Sequence, residues 1–339
     1  MSEQNLAQAV LAGDRLALAR SLTQVENGTL LGRSTLSALF QHTGRAHLVG
    51  VTGASGTGKS SLVNQLARFV RQANLSQRVA IVAVDPTSPF SGGAILGDRI
   101  RMRDLAGDPG VFIRSMATRG SLGGIASATA SVAQVLDAAG FELVLIETVG
   151  AGQSEVDIAR LAHTTIVVEA PGLGDDIQAI KAGIMEIADI FVVNKADLPG
   201  VENTERALRS SLNLAHPVPH QFVHHGKLET VAAQGAPAKP EGALWMPPIL
   251  RTVALDGNGI ARLAQAIIDH RTHLQATGGW GERERWRLQT EFDLLLQNTL
   301  VEGFRSRLVA GQYDQALDDI IARRLSPFEA VEKLVDGVS

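Results

Sequence analysis

The segment Gly53-Ala54-Ser55-Gly56-Thr57-Gly58-Lys59-Ser60 constrains this chain more than any other. It meets the pattern Gly-x-x-x-x-Gly-Lys-Ser in full. An apolar run, residues 46–52, precedes it, and a helical pattern, residues 60–74, follows. Glycines let backbone N–H groups turn inward toward phosphate oxygens, and a helix N-terminus adds its positive end. Lys59 is placed to reach the β- and γ-phosphates, and the Ser60 hydroxyl to ligate Mg²⁺. The candidate phosphate-binding residues are Gly53, Ser55, Gly56, Thr57, Gly58, Lys59, Ser60 and Ser61. A loop of this kind needs a strand feeding it and a helix leaving it, so the chain around it must be α/β.

The rest of the pattern agrees. Valine-rich apolar runs at residues 79–84, 143–147, 164–169 and 190–194, and a weaker one at 249–255, read as strands. Helical patterns at 122–139, 176–188 and 204–214 fall between them. Alternating strands and helices imply a mostly parallel sheet covered on both faces. Residues 6–22 and 30–40 read as two amphipathic helices, an N-terminal extension over residues 1–45. The nucleotide-binding domain is expected over 46–275. Residues 276–339 then read as a C-terminal helical arm, with long patterns at 282–309 and 313–335 joined near Gly311. That hairpin needs a partner surface, either a second copy of the chain or its own domain. Residues 217–248 hold six prolines and little periodicity, and read as a long surface loop or partly ordered insertion.

A second motif, Asn194-Lys195-Ala196-Asp197, follows the run at 190–193. The Asp197 carboxylate can accept both N1–H and N2–H₂ of guanine, a donor pair that adenine lacks, so a buried Asp there selects guanine. Asn194 is expected to contact the base edge and tie the loop together, and Lys195 to lie along the ring. A further base-side loop is expected at Thr252-Val253-Ala254-Leu255, with Ala254 and Leu255 as candidate contacts.

Acids stand where strands end or loops begin: Asp85, Asp98, Glu147, Asp175 and Asp176. Ligands collect at the carboxyl ends of parallel strands, and a hard cation bridging phosphates wants carboxylate and hydroxyl oxygens. Each acid serves either there or as a helix cap or solvated loop charge. The candidate metal ligands are Ser60, Asp85, Asp98 and Glu147. The candidate catalytic residues are Lys59, Asp85, Asp98 and Glu147. Gly150 would be a switch glycine sensing the γ-phosphate. Arg101, Arg103, Arg114 and Arg119 are cations for phosphate or for surface ion pairs.

The segments from Val84-Asp85-Pro86 through Asp98-Arg99-Ile100-Arg101-Met102, Glu147-Thr148-Val149-Gly150 through Glu155, and Ala170-Pro171-Gly172 through Lys181 resemble the MeaB/ArgK family of P-loop GTPases. The resemblance covers nearly the whole chain. It departs at Ser55, where proline is common in the family, and at residues 217–248, which no motif covers. It implies a GTPase chaperone of adenosylcobalamin-dependent acyl-CoA mutases, mainly methylmalonyl-CoA mutase. Such a chaperone gates cofactor loading, and protects or reactivates the mutase. It also implies a homodimer through the C-terminal helices, a Mg²⁺ and switch network of Asp85, Asp98 and Glu147, and a relay to the mutase over residues 170–181. Hydrolysis is expected to be slow alone and stimulated by the partner, because no Ras-like water-positioning glutamine is evident.

Two other readings compete. A metallochaperone GTPase would use His216, His220, His224 and His225 in the insertion, but such proteins usually carry cysteine motifs, and this chain has no Cys. A kinase tied to amino-acid transport would need an acceptor site and a base, and no segment supplies either. Composition narrows the field further. The net charge of −4 gives no global positive field for nucleic acid or an anionic membrane. No run approaches the ~20 apolar residues of a membrane span, and residues 1–20 carry charges unlike a signal peptide. A cytoplasmic protein is expected.

Overall fold

The computed structural model describes residues 3–85, 103–105, 107–117, 124–148, 154–172, 186–215, 221–224, 227–230 and 244–337. Three amphipathic helices come first: α1 (Glu3–Leu11), α2 (Arg15–Glu26) and α3 (Leu30–Leu39). There follow β1 (His47–Thr52), α4 (Lys59–Ala73), β2 (Val79–Asp85), β3 (Val111–Ala117), α5 (Gly124–Ala138), β4 (Leu143–Thr148), α6 (Ser154–Leu161), β5 (Thr164–Glu169), β6 (Ile190–Val193) and α7 (Val201–Ala215). Then come β7 (Gln221–His224), β8 (Lys227–Thr230), β9 (Ile249–Arg251), α8 (Ile260–Thr277), α9 (Gly279–Arg305), α10 (Gln312–Ile321) and α11 (Pro327–Asp336). By contacts the chain divides into two units, Met1–Leu288 and Gln289–Ser339.

The first unit is built on a seven-stranded sheet of order β3-β2-β4-β1-β5-β6-β9, with every pairing parallel. Side chains on successive strand residues point to opposite faces, and the cores divide accordingly. Ala80, Val82, Val84, Val144 and Ile146 pack under α1, α2, α3, α5 and α6. Val79, Ile81, Val49, Val51, Leu143 and Leu145 pack against α4 and α8. A third cluster joins Val167, Phe191 and Val193 to α7. Strands buried on both faces read as continuous apolar runs, which is why the sequence marks them so plainly.

Four expectations change. The run at 6–22 is two helices, because Asp14 ends one and caps the next, accepting from the N–H groups of Leu16 and Ala17. Residues 313–335 are likewise two helices. Arg323 takes a positive φ of 58°, and Ser326 forms a capping box with Glu329 ahead of Pro327. The strand at 249–255 is only Ile249–Arg251, followed by a turn closed by the Val253–Asn258 bridge. Within 217–248 lies an antiparallel hairpin, β7 with β8. Moreover, β3 was not anticipated at all, and it forms one edge of the sheet.

Candidate nucleotide-binding site

Strand β1 lies at the middle of the sheet, between β4 and β5, and its successor β2 lies beyond β4. The order therefore turns about β1, and the crevice at its carboxyl end is where an open α/β sheet binds ligands. The glycine-rich loop occupies that position. Gly53 leaves β1 at φ 137°, and a Cβ there would stand 2.1 Å from the carbonyl oxygen of Val168 on β5. Gly58 opens α4 at φ 91°, and a Cβ there would meet the Asn194 side-chain nitrogen at 2.5 Å. Only glycine fits either place. The Thr57 hydroxyl donates to Ala54 O at 3.0 Å across the loop. The Lys59 ammonium, largely buried, arches back to donate to Gly53 O and Ala54 O at 2.8 and 2.9 Å. The loop is a ring of backbone with a cation over it, at the N-terminus of a 15-residue helix, a ready anion site. Ser55 is exposed on its rim.

Glu147 enters from β4. Its register pairs it with Val51 of β1 on one side and Ala83 of β2 on the other. Its carboxylate is 1% exposed and accepts from the Ser60 hydroxyl at 2.5 Å. Asp85 ends β2 one step beyond the Val84–Thr148 pair, so its backbone reaches the same edge. Beneath, the Thr148 and Thr52 hydroxyls bond at 3.1 Å. The set is oxygen throughout, as a hard divalent cation prefers. Among the described residues no group of three or more His, Cys, Asp or Glu forms a separate metal cluster.

The Asn194 motif follows β6. The Asn194 amide is buried and bonded into the chain. It donates to Thr57 O at 2.8 Å, and its oxygen accepts from the Thr252 hydroxyl at 3.0 Å and the Ala254 N–H at 3.1 Å. The phosphate loop, the β6 loop and the β9 loop therefore meet on one side chain. The Ala196 N–H donates to Thr252 O, and the Thr252 N–H to Val193 O, each at 3.0 Å. Lys195 adopts φ 55°, which turns the chain so that Asp197 stands exposed on the rim rather than buried. Leu255 is exposed and Ala254 is buried.

Arg114 is not part of this site. It lies within β3 and pairs with Glu26 of α2, the Thr23 hydroxyl also within reach at 3.3 Å. Asp98, Arg101, Arg119, Gly150, Asp175, Asp176, His216, His220 and His225 lie outside the described residues, as do the side chains of Asp85, Arg103 and His224 and most of segment 170–181. The sequence marked Thr252 only as part of a loop. Its bond to Asn194 joins positions far apart in the chain, and no local pattern announces it.

A glycine ring at the switch point, a serine–carboxylate pair beside it and an Asn-Lys-x-Asp loop tied to that ring define a P-loop GTPase. A family model described as methylmalonyl Co-A mutase-associated GTPase MeaB matches residues 18–308. A putative GTPase of Pyrococcus horikoshii is 40% identical over 333 residues, covering 98% of this chain and 97% of that one. The GTPase ArgK of Escherichia coli is 34% identical over 350 residues, covering 100% and 98%. Among solved structures, the crystal structure of an LAO/AO transport system kinase superposes with a TM-score of 0.64 at 26% identity, covering 99% and 97%. The chain belongs to the MeaB family of GTPases, and its activity is the hydrolysis of GTP.

Proposed function

We propose that this GTPase is a chaperone of an adenosylcobalamin-dependent acyl-CoA mutase, methylmalonyl-CoA mutase or a close relative, and that its nucleotide state gates cofactor loading, protection and reactivation of that mutase. The observation that carries the reading is the match to the mutase-associated family over residues 18–308. The protein works in the cytoplasm as a homodimer. No described helix is long and apolar enough to cross a membrane.

Lys59 exchanges the carbonyls of Gly53 and Ala54 for phosphate oxygens when nucleotide enters, and the N–H groups of the loop and of the start of α4 take the remainder. Asp197 accepts from the guanine edge, while Asn194 holds its loop in register with the phosphate loop. Ser60, Glu147, Asp85 and Asp98 are the residues that would hold Mg²⁺, directly or through water, and the ion would supply positive charge to offset that of the phosphates. Residues 170–181 carry the nucleotide state toward the mutase.

Affinity capture from native cell extract, with GDP and with a non-hydrolysable GTP analogue, tests the reading. A cobalamin-dependent mutase should be recovered preferentially in one state, and adding it should accelerate an otherwise slow hydrolysis. Recovery in neither state, or fast turnover by the protein alone, would overturn the proposal.

A further inference from the structure

At the opposite end of the strands from the nucleotide site, a buried polar cluster joins the amino-terminal ends of β1, β5 and β6 to the start of α9, all within Met1–Leu288. His163, just before β5, is its centre. Its Nδ1 accepts the backbone N–H of Leu48 at 3.1 Å, which fixes the ring as neutral with its proton on Nε2. That Nε2 donates to Glu284 of α9 at 3.0 Å. The ring stacks on Trp280 at 4.0 Å and 17°. Beside it, His47 of β1 bonds Thr164 Oγ1 at 2.7 Å, and Thr164 bonds His270 Nδ1 of α8 at 2.8 Å. Asp189, before β6, takes both Arg283 nitrogens at 2.7 and 2.8 Å. His270 Nε2 stands 3.3 Å from Asp189, and Trp245 covers the His270 ring at 4.7 Å.

We propose that this cluster is an acid-sensitive clasp: it holds residues 279–288 on the sheet while His163 is neutral, and lets them go when His163 takes a second proton. The geometry supplies the reason. A proton on Nδ1 confronts the Leu48 N–H, so protonation in place breaks that bond and sets two donors face to face. The charged surroundings agree. Glu284 favours an imidazolium, Arg287 and Arg283 of α9 oppose it, and Asp189 is already occupied by Arg283; His47 of β1 and Arg271, His270 and His273 of α8 are the other titratable or charged groups around the cluster. Burial, then the arginines, hold His163 below its ordinary value despite Glu284. Burial, then the neighbouring His163, hold His47 well below. Burial lowers His270 to about 4, Asp189 opposing. For groups depressed in the folded state, the released state binds protons first. The clasp is therefore at full strength above pH 6.5, the ordinary histidine value, and weakens as pH falls toward the folded values.

Hydrogen–deuterium exchange on the full-length protein at pH 7.5, 6.5 and 5.5, corrected for intrinsic rates, tests this. Protection over residues 279–288 should change little between pH 7.5 and 6.5 and fall by up to about tenfold per pH unit below 6.5 for each histidine released to water, while β1 and β5 keep theirs. Unchanged protection at pH 5.5, or equal loss across the whole sheet, would overturn the clasp. In His163→Asn the amide oxygen can still accept the Leu48 N–H but cannot titrate, so the pH dependence should lose one proton's worth, about tenfold per unit. An undiminished dependence there contradicts the assignment. Should that variant not fold, the His163 titration in the wild type by NMR decides: a midpoint at or above 6.5 removes the proposal, and one below it supports it.

Discussion

Asn194 and Asp197 belong to one tetrapeptide, yet the structure gives them opposite kinds of work. Asn194 is buried, with three bonds into two other loops, whereas Asp197 is exposed. Asn194→Ala should therefore strand Thr57 O, the Thr252 hydroxyl and the Ala254 N–H. The expected cost is about 2–4 kcal/mol of stability, read by urea denaturation, together with weakened binding of both GDP and GTP. Asp197→Asn should leave the urea midpoint unchanged and shift base preference from guanine toward xanthine, read as relative kcat/KM for the two triphosphates. Unaltered guanine preference would place the base elsewhere. Gly53→Ala tests the loop itself. The added methyl meets Val168 O at 2.1 Å, so nucleotide binding should be lost, with the melting temperature reporting whether β1 and β5 have also parted. The motif residues were legible in the sequence because phosphate and guanine each demand a contiguous pattern. The tie from Asn194 to Thr57 and Thr252 was not, since it exists only once β1, β5, β6 and β9 are assembled in one sheet.

At the scale of elements, legibility followed burial. Strands covered on both faces declared themselves as valine and isoleucine runs. The strand missed, β3, is an edge strand whose apolar run is broken by Arg114 and Ser115. Arg114 shares a face of β3 with Phe112 and Met116, which pack in the same cluster as α2, and Glu26 of α2 pairs with it there. Arg15 of α2 adds bonds to Pro109 O and Val111 O at 2.8 and 3.0 Å. The N-terminal helices thus cover one face of this edge strand, and no local pattern in 111–117 foretells it. A second long-range tie fixes α5. Asp137 lies in its last turn, where a carboxylate opposes the helix dipole. It is held by the N–H groups of Gly44, Arg45 and Ala46, at 2.6, 3.2 and 2.9 Å, on the approach to β1. Asp137→Ala should cost about 1–3 kcal/mol, three donors losing their acceptor, the Ala46 N–H among them being buried. Asp137→Asn should cost less, because one oxygen remains. Calorimetric melting distinguishes them, and equal melting temperatures for the wild type and the alanine variant would show the tie to be dispensable.

The second unit leaves apolar side chains exposed at regular helical spacing. Within Gln289–Ser339, Phe292, Leu296 and Leu300 are spaced four residues apart on α9. Tyr313, Leu317 and Ile321 repeat that spacing on α10, and Phe328, Val331 and Val335 follow on α11. All nine are exposed, Phe328 to 84%. Helical stripes of this length exist to be covered, since a chain that left them in water would expose far more contiguous apolar surface than a stable monomer carries. A second copy of the chain presents the same stripes, and a two-fold axis lets identical faces meet. The protein should accordingly run at twice its chain mass in multi-angle light scattering. The double variant Leu296→Glu, Leu317→Glu should run at the single mass, because a charge buried unpaired in each copy of such an interface is not tolerated. Both substitutions lie outside Met1–Leu288, so guanine-nucleotide affinity, measured on the same samples, should stay at the wild-type value. A wild type at the single mass would leave the stripes to another kind of partner. A variant at the double mass would move the dimer contact away from the arm.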